Sequence, residues 1–279
     1  MDLSNENVIH IKKNGVEYLQ FRKLLEYKEI VNHAYSLGTD KNYRTNQPDK
    51  QKLDSITYQK VLKDYENLCQ AIDSKPEHLI KTNQEHMDIV KVVKEKVNLK
   101  EPDFNLEQYA KTDGLITNQK DRLLATTNAD CILLLFFDPV KKVIANSHSG
   151  WKGTLQRISI KTVEKMKEEF SCNPEDIICC ICPSIRECHF EVGKEVKEKF
   201  EKEFQDIKNI YELIKETVPN QKWNIDTVKI NQIILKREGL KPENIIDSKI
   251  CSVCHSDLVH SYRVEKQGYG LNTALIELK

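Results

Sequence analysis

The stretch TTNADCILLLFFDPVKKVIANSHSGWKGT (126–154) places Cys131 before one apolar run and His148 after a second. Thiolate and imidazole are favoured zinc donors, so the question is whether the chain brings these two together. Asp138-Pro139-Val140-Lys141 supplies a turn between the runs, with Pro139 suited to its second position. An antiparallel hairpin in which Asp138 faces Lys141 sets Cys131 directly opposite His148 on one face, with Cβ atoms about 4.5–5.5 Å apart. That separation suits two ligands of one zinc ion, bound at about 2.3 Å by sulfur and about 2.0–2.1 Å by nitrogen. The plain alternative is a buried cysteine and a space-filling histidine. A metal reading needs a third donor, and His86 in NQEHMD is the candidate. Three protein ligands with a fourth position open is the pattern of catalytic rather than structural zinc.

The elements that must position these residues follow from periodicity. VIHIKKNGVEYLQFRKL alternates and breaks at Asn14-Gly15, which predicts a β-hairpin. VNHAYSLGTDKNYRTNQPDK reads as an irregular loop. LDSITYQKVLKDYENLCQAI is helical, with Ile56, Val61, Leu62, Tyr65, Leu68 and Cys69 along one side. EHLIKTNQEHMDIVKVV is two short strands with His86 at or near their junction. GLIT, LLATTNADCILLLFF, KVIANSHS and IICCICPSI are further strands. GTLQRISIKTVEKMKEEF is an amphipathic helix with Leu155, Ile158, Val163 and Met166 apolar. EVGKEVKEKFEKEF and DTVKINQIILKREGL are helices, the second stopped by Gly239 and Pro242, and the tail returns to strand. Without repeats, low-complexity segments or linkers, the expectation is one compact α/β (α+β) domain over 1–279. Its central mixed β-sheets are flanked by helices in α/β/β/α layers.

Composition bounds the partners. With 43 basic and 43 acidic residues the charges cancel, which gives no support to a nucleic-acid-binding role. The longest apolar run, CILLLFF, is too short to cross a bilayer, and the first residues lack a signal-peptide run. A cytoplasmic protein, monomer or homodimer, is expected. Nine cysteines, an odd number with several crowded between Cys179 and Cys188, suit reduced thiols rather than a disulfide framework.

QEH (Gln84–His86), DGLIT (Asp113–Thr117), TNADCILLLFFDP (Thr127–Pro139) and SHSGWKGT (Ser147–Thr154) resemble successive signature blocks of the laccase-domain family, also called polyphenol oxidase and peptidoglycan editing factor. CPSIRECHFEVG (Cys182–Gly193) and SYRVEKQGYG (Ser261–Gly270) match later blocks. The resemblance implies zinc-dependent purine nucleoside phosphorylase activity toward adenosine, inosine and methylthioadenosine, with adenosine deaminase activity, so that purine nucleoside and phosphate are the expected partners. It places the Zn2+ triad at His86, Cys131 and His148, which are therefore both the metal and the catalytic candidates. Three departures stand out. Family members often carry an arginine after the block that reads HAYSLGTD here, for which Arg44 is the available substitute. They also commonly have G-P-x-I where Cys182-Pro183 stands and G-R where Gly270-Leu271 stands. Authentic laccase chemistry needs roughly ten histidines, many in H-x-H pairs. This chain has eight and no such pair.

Substrate candidates follow from that chemistry. SHSGWKGT leads from a strand end through two glycines into a helix N-terminus, a favourable place for an oxyanion, with Lys152 beside it. A tight turn explains the same glycines. Trp151 suits base stacking or packing, and Asp130 suits ligand support or capping. Arg263 and Arg186 are candidate anion partners or surface ion pairs. A different class of reading is a Cys-His hydrolase or amidase acting on peptidoglycan precursors, with Cys131 as nucleophile, His148 as base and His86 orienting. A third is a non-enzymatic zinc-binding module built on Cys251-x-x-Cys254-His255 and the cysteines from Cys179 to Cys188.

Overall fold

Asn14 and Gly15 take φ values of 53° and 74°, the left-handed pair that a two-residue hairpin turn requires. The strands they join, β1 (Val8–Lys13) and β2 (Val16–Phe21), pair antiparallel as the alternation predicts. The computed structural model describes residues 1–45, 53–94 and 109–279. In it this hairpin continues through β3 (Val31–Leu37), β15 (Asn272–Leu278), β7 (Leu123–Asn128) and β4 (Leu79–Lys81) into a six-stranded sheet. A second six-stranded sheet runs β14 (Ile245–Asp247), β10 (Ile178–Ile181), β8 (Ile132–Asp138), β9 (Val143–Ser149), β6 (Gly114–Thr117) and β5 (Val90–Val92). Both are mixed, because β4, β5 and β14 each join parallel to a neighbour.

Tyr35, Leu124 and Ile276 of the first sheet meet Leu133, Leu135, Phe137 and Ile144 of the second in a shared core. Helix α1 (Arg22–Leu25) is a single turn after β2, and α2 (Ser55–Ala71) covers the outer face of the first sheet through Val61, Tyr65 and Leu68. After the short α3 (Trp151–Leu155), α4 (Ile158–Phe170) packs Val163 and Met166 on the outer face of the second sheet. The expected α/β/β/α layering is thus met. Cys179 and Cys180 show the strand period of two: the first faces the helices and the second the inter-sheet core. Both are buried thiols, as are Cys69, Cys172 and Cys182.

Four local expectations change. Val31–Leu37 is a buried strand rather than a loop, and its histidine is absorbed by the sheet. His33 Nε2 accepts the Phe21 N–H at 2.7 Å, and burial lowers the ring to about 3, so it stays neutral. Residues 46–50 of that predicted loop lie outside the described residues. Ile56, in the first turn of α2, is 81% exposed, because the buried stripe starts only at Val61. The expected single helix after Gly153 is two, since Arg157 adopts φ 57° and separates α3 from α4. That break turns Leu155 toward a third sheet while Ile158 drops into the interior. Periodicity did not reveal this third sheet: β11 (Glu191–Gly193), β13 (Lys222–Ile225) and β12 (Ile214–Val218). Packed on it are α5 (Lys194–Glu203) and α6 (Thr227–Arg237), through Phe200, Ile230 and Ile234.

The fourth change concerns the hairpin. Asp138 pairs with Val143, so Pro139 to Lys142 form a four-residue turn in place of two residues. Asp138 Oδ1 accepts the Val140 and Lys141 N–H groups at 2.8 and 2.9 Å, and Lys142 closes the turn at φ 54°. Leu133, rather than Cys131, therefore lies opposite His148. The shift is two residues, and the side-chain period is also two, so Cys131 and His148 still share a face, on a diagonal.

Candidate metal centre and active-site cleft

Cys131 sits just before β8, and His148 is the penultimate residue of β9. The bend between β4 and β5 carries His86 to them. Gln84 docks this bend on β7: its side chain accepts the Thr127 N–H at 2.8 Å and donates to the Thr127 carbonyl at 2.7 Å. His86 itself takes φ 60°, a strained conformation for a histidine, of the kind that persists where surrounding contacts over-determine it. The result is that one ligand atom from each of His86, Cys131 and His148 lies within 4.8 Å of the others. Cys131 Sγ is 3.9 Å from His86 Nε2, and the two imidazoles meet edge to face with centroids 4.9 Å apart. The sequence therefore named a trio that the fold brings together.

Gly150 explains how three side chains crowd so closely. A Cβ there would stand 3.0 Å from Cys131 Sγ and 3.0 Å from His86 Cδ2. Packing against the donors accounts for this glycine, and the helix after it, α3, is five residues long.

Asp113 is one residue that sequence reasoning missed, although it opens the DGLIT block. Its fully buried carboxylate accepts His148 Nδ1–H at 2.7 Å and the backbone N–H groups of Glu85, His86 and Met87 at 3.0, 3.1 and 2.9 Å. One side chain thus orients the His148 ring and fixes the His86 bend. Burial pushes the Asp113 carboxyl up, but these donors hold it below its ordinary value. With Nδ1–H committed to Asp113, Nε2 of His148 is the nitrogen left to serve as a ligand, a common arrangement behind metal-bound imidazoles. Burial opposes ionisation of Cys131, yet His148 and His86 bring its thiol down to about 6. His148, although desolvated, is raised to about 10 by the Cys131 thiolate and Asp113. Two imidazoles and a thiolate prone to ionise form a donor set that fits zinc.

Asp130 adopts φ 81° immediately before Cys131. Its carboxylate accepts Ser252 Oγ–H at 2.6 Å and the Arg263 N–H at 2.7 Å, and its carbonyl accepts the Ile185 N–H at 2.8 Å. Asn128 Nδ2 donates to the Cys131 carbonyl at 2.6 Å. The Asp130 carboxylate thus holds the first turn of the Tyr262–Glu265 helix, the capping role the sequence left open, and ties the backbone just before Cys131 to it.

The three donors line a cleft of about 750 Å³. Trp151, Phe190, Tyr262 and Tyr269 supply its aromatic surface, and Arg44, Lys81 and Arg263 its cations. Arg44 lies over the Tyr269 ring at 4.1 Å and donates to the Tyr269 carbonyl at 2.8 Å. Arg263 donates to the His189 and Glu191 carbonyls at 3.0 and 3.1 Å. Lys81, at the end of β4, went unnoticed in the sequence. Its signal was a lysine closing the apolar strand LIK, and it is 7% exposed, with burial and Arg44 lowering it to about 8. The structure places Lys152 outside the cleft lining; its exposed ammonium lies 5.6 Å from the Trp151 ring centroid. Arg186 is taken up by Asp247, at 2.7 Å between Nη1 and Oδ1.

The chain is similar to several known proteins. "Purine nucleoside phosphorylase LACC1" of Homo sapiens is 33% identical over 171 residues, covering 60% of this chain but only 38% of that protein. "Purine nucleoside phosphorylase" of Bacteroides thetaiotaomicron is 30% identical over 205 residues, covering 74% of this chain and 75% of that one. "Adenosine deaminase RL5", from an unknown prokaryotic organism, is 29% identical over 185 residues, with 66% and 69% covered. The crystal structure of YlmD from Geobacillus stearothermophilus superposes with a TM-score of 0.80 at 21% identity, over 98% of this chain and 99% of that one. No helix among the described residues is long and apolar enough to cross a membrane. Residues 44–279 match the family described as multi-copper polyphenol oxidoreductase laccase, and the chain belongs to that family.

Proposed function

We propose that this chain is a zinc-dependent purine nucleoside phosphorylase acting on adenosine, inosine and methylthioadenosine, with adenosine deamination as a second activity of the same site. Residues 1–279 form one catalytic domain in this reading, and the unpaired cysteines favour a cytoplasmic setting. The observation that carries it is the meeting of His86, Cys131 and His148 on the wall of a cleft that also holds four aromatic rings and three cations. When bound by these three residues, zinc supplies Lewis acidity to the reacting centre. The chain's own groups do the rest. Arg44, Lys81 and Arg263 gather positive charge for the phosphate whose oxygen attacks C1′ as the bond from C1′ to the purine breaks. Trp151, Phe190, Tyr262 and Tyr269 offer faces on which the base can stack. Asp113 keeps the His148 ring and the His86 bend in place.

A second reading rests on the same geometry: Cys131 Sγ lies within 4.8 Å of a His148 ring nitrogen, and the two draw the thiol down and the imidazole up, as a Cys-His hydrolase or amidase requires. Incubation with adenosine, inosine and methylthioadenosine, with and without phosphate and before and after chelation, separates the two. Base release that needs phosphate, yields ribose 1-phosphate and is lost with the metal supports the phosphorylase. Free ribose formed equally without phosphate, or turnover indifferent to chelation, rules it out.

A further inference from the structure

A second group of donors lies apart from the first. Cys188 and His189 follow β10 on one segment, and Cys251 and Cys254 lie on another that follows β14. The two segments are stitched together by Ser184 N–H to the Ile250 carbonyl at 3.3 Å and Ser252 N–H to the Ser184 carbonyl at 3.0 Å. Of the cysteines between 179 and 188, only Cys188 joins this group. Cys179, Cys180 and Cys182 are buried in the sheet layers, and His189 rather than His255 supplies the nitrogen.

We infer that Cys188, His189, Cys251 and Cys254 form a second zinc site, closed and structural. All four ligand atoms lie within 4.8 Å of one another. Cys188 Sγ is 3.6 Å from Cys251 Sγ and 3.9 Å from Cys254 Sγ. His189 Nδ1 is 3.2 Å from Cys188 Sγ and 3.6 Å from each of Cys251 Sγ and Cys254 Sγ. A tetrahedral zinc with sulfur at about 2.3 Å and nitrogen at about 2.0–2.1 Å requires edges of about 3.8 Å between sulfurs and about 3.6 Å from sulfur to nitrogen. Five of the six edges are therefore within a few tenths of an ångström of a zinc tetrahedron. Four protein ligands leave no position for substrate, so the role is to clamp.

What the clamp holds is the wall of the cleft. Ser252, next to Cys251, donates to one Asp130 oxygen at 2.6 Å. Arg263 grips the His189 carbonyl at 3.0 Å and donates its own backbone N–H to the other Asp130 oxygen at 2.7 Å. Asp130 in turn precedes Cys131, so two hydrogen-bonded routes run from the second site to the first.

The test is the zinc content of protein purified under reducing conditions without chelator. The wild type should hold two zinc ions per chain. His86→Ala/Cys131→Ser, which cripples only the first site, should keep one. Cobalt substitution of that double variant should give intense sulfur-to-cobalt charge-transfer absorption, since its remaining site carries three thiolates. Adding Cys254→Ser should abolish both the residual metal and the absorption. The inference is overturned if the folded double variant binds neither zinc nor cobalt, if its cobalt spectrum lacks thiolate bands, or if intact mass shows Cys188 and Cys251 joined as a disulfide under these conditions. None of these readouts depends on which reaction the first site catalyses.

Discussion

Replacing Asp113 by asparagine removes one charge and turns one acceptor oxygen into a donor, with little change in shape. The wild-type carboxylate accepts four hydrogen bonds: His148 and His86 on Oδ1, Glu85 and Met87 on Oδ2. If the amide oxygen stays toward His148, the amide N–H groups confront the Glu85 and Met87 N–H donors. Two part-buried donors then lose their partner, at up to about 1–3 kcal/mol each. If the amide flips, its nitrogen faces His148 Nδ1, which must then accept, and the proton moves to Nε2, the atom needed as a ligand. Either arrangement is costly, so Asp113→Asn should lose about 1–3 kcal/mol of stability or, in the flipped form, bind zinc about 10–100-fold more weakly. Urea denaturation of the metal-free protein gives the first number, and competition with a calibrated chelator gives the second. A variant with both stability and zinc affinity unchanged within twofold would refute the reasoning that Asp113 organises the site.

Gly150→Ala should reduce zinc affinity without unfolding the chain, because the new methyl stands 3.0 Å from Cys131 Sγ and His86 Cδ2; circular dichroism beside a zinc titration checks it. In chelated protein, alkylation of Cys131 followed by peptide mass spectrometry should rise with pH through a midpoint near 6 and level off above it, since the thiolate is the reactive form. Zinc should protect it, and His86→Ala should move the midpoint up toward the ordinary thiol value. Lys81 is charged below about 8, so KM for phosphate should climb as pH rises through that value. Lys81→Met should abolish that pH dependence and raise KM about 10–100-fold, the worth of a charged hydrogen bond.

Much of the first site was legible because it is local. Two apolar runs joined by Asp138-Pro139 can hardly avoid folding back, and the period of two kept Cys131 and His148 on one face although the turn holds four residues rather than two. The need for a third donor, with the QEH block, pointed to His86. The α/β/β/α order was legible for a similar reason, since alternating and helical periods say which face of an element is apolar. Periodicity does not say which element covers that face. Asp113 stands beside His148 only because β6 pairs with β9 in the register Gly114 to Ser147. Lys81 enters the cleft, and exposed Lys152 stays outside it, through packing that no spacing along the chain expresses. His189, and not His255, completes the cysteine group for the same cause. Cys188 and Cys251 are 63 positions apart, and only the tertiary fold sets their sulfurs 3.6 Å from each other. A hydrogen-bond register or a ligand cage depends on distances in space, and the sequence specifies those directly only across a turn or a helix pitch.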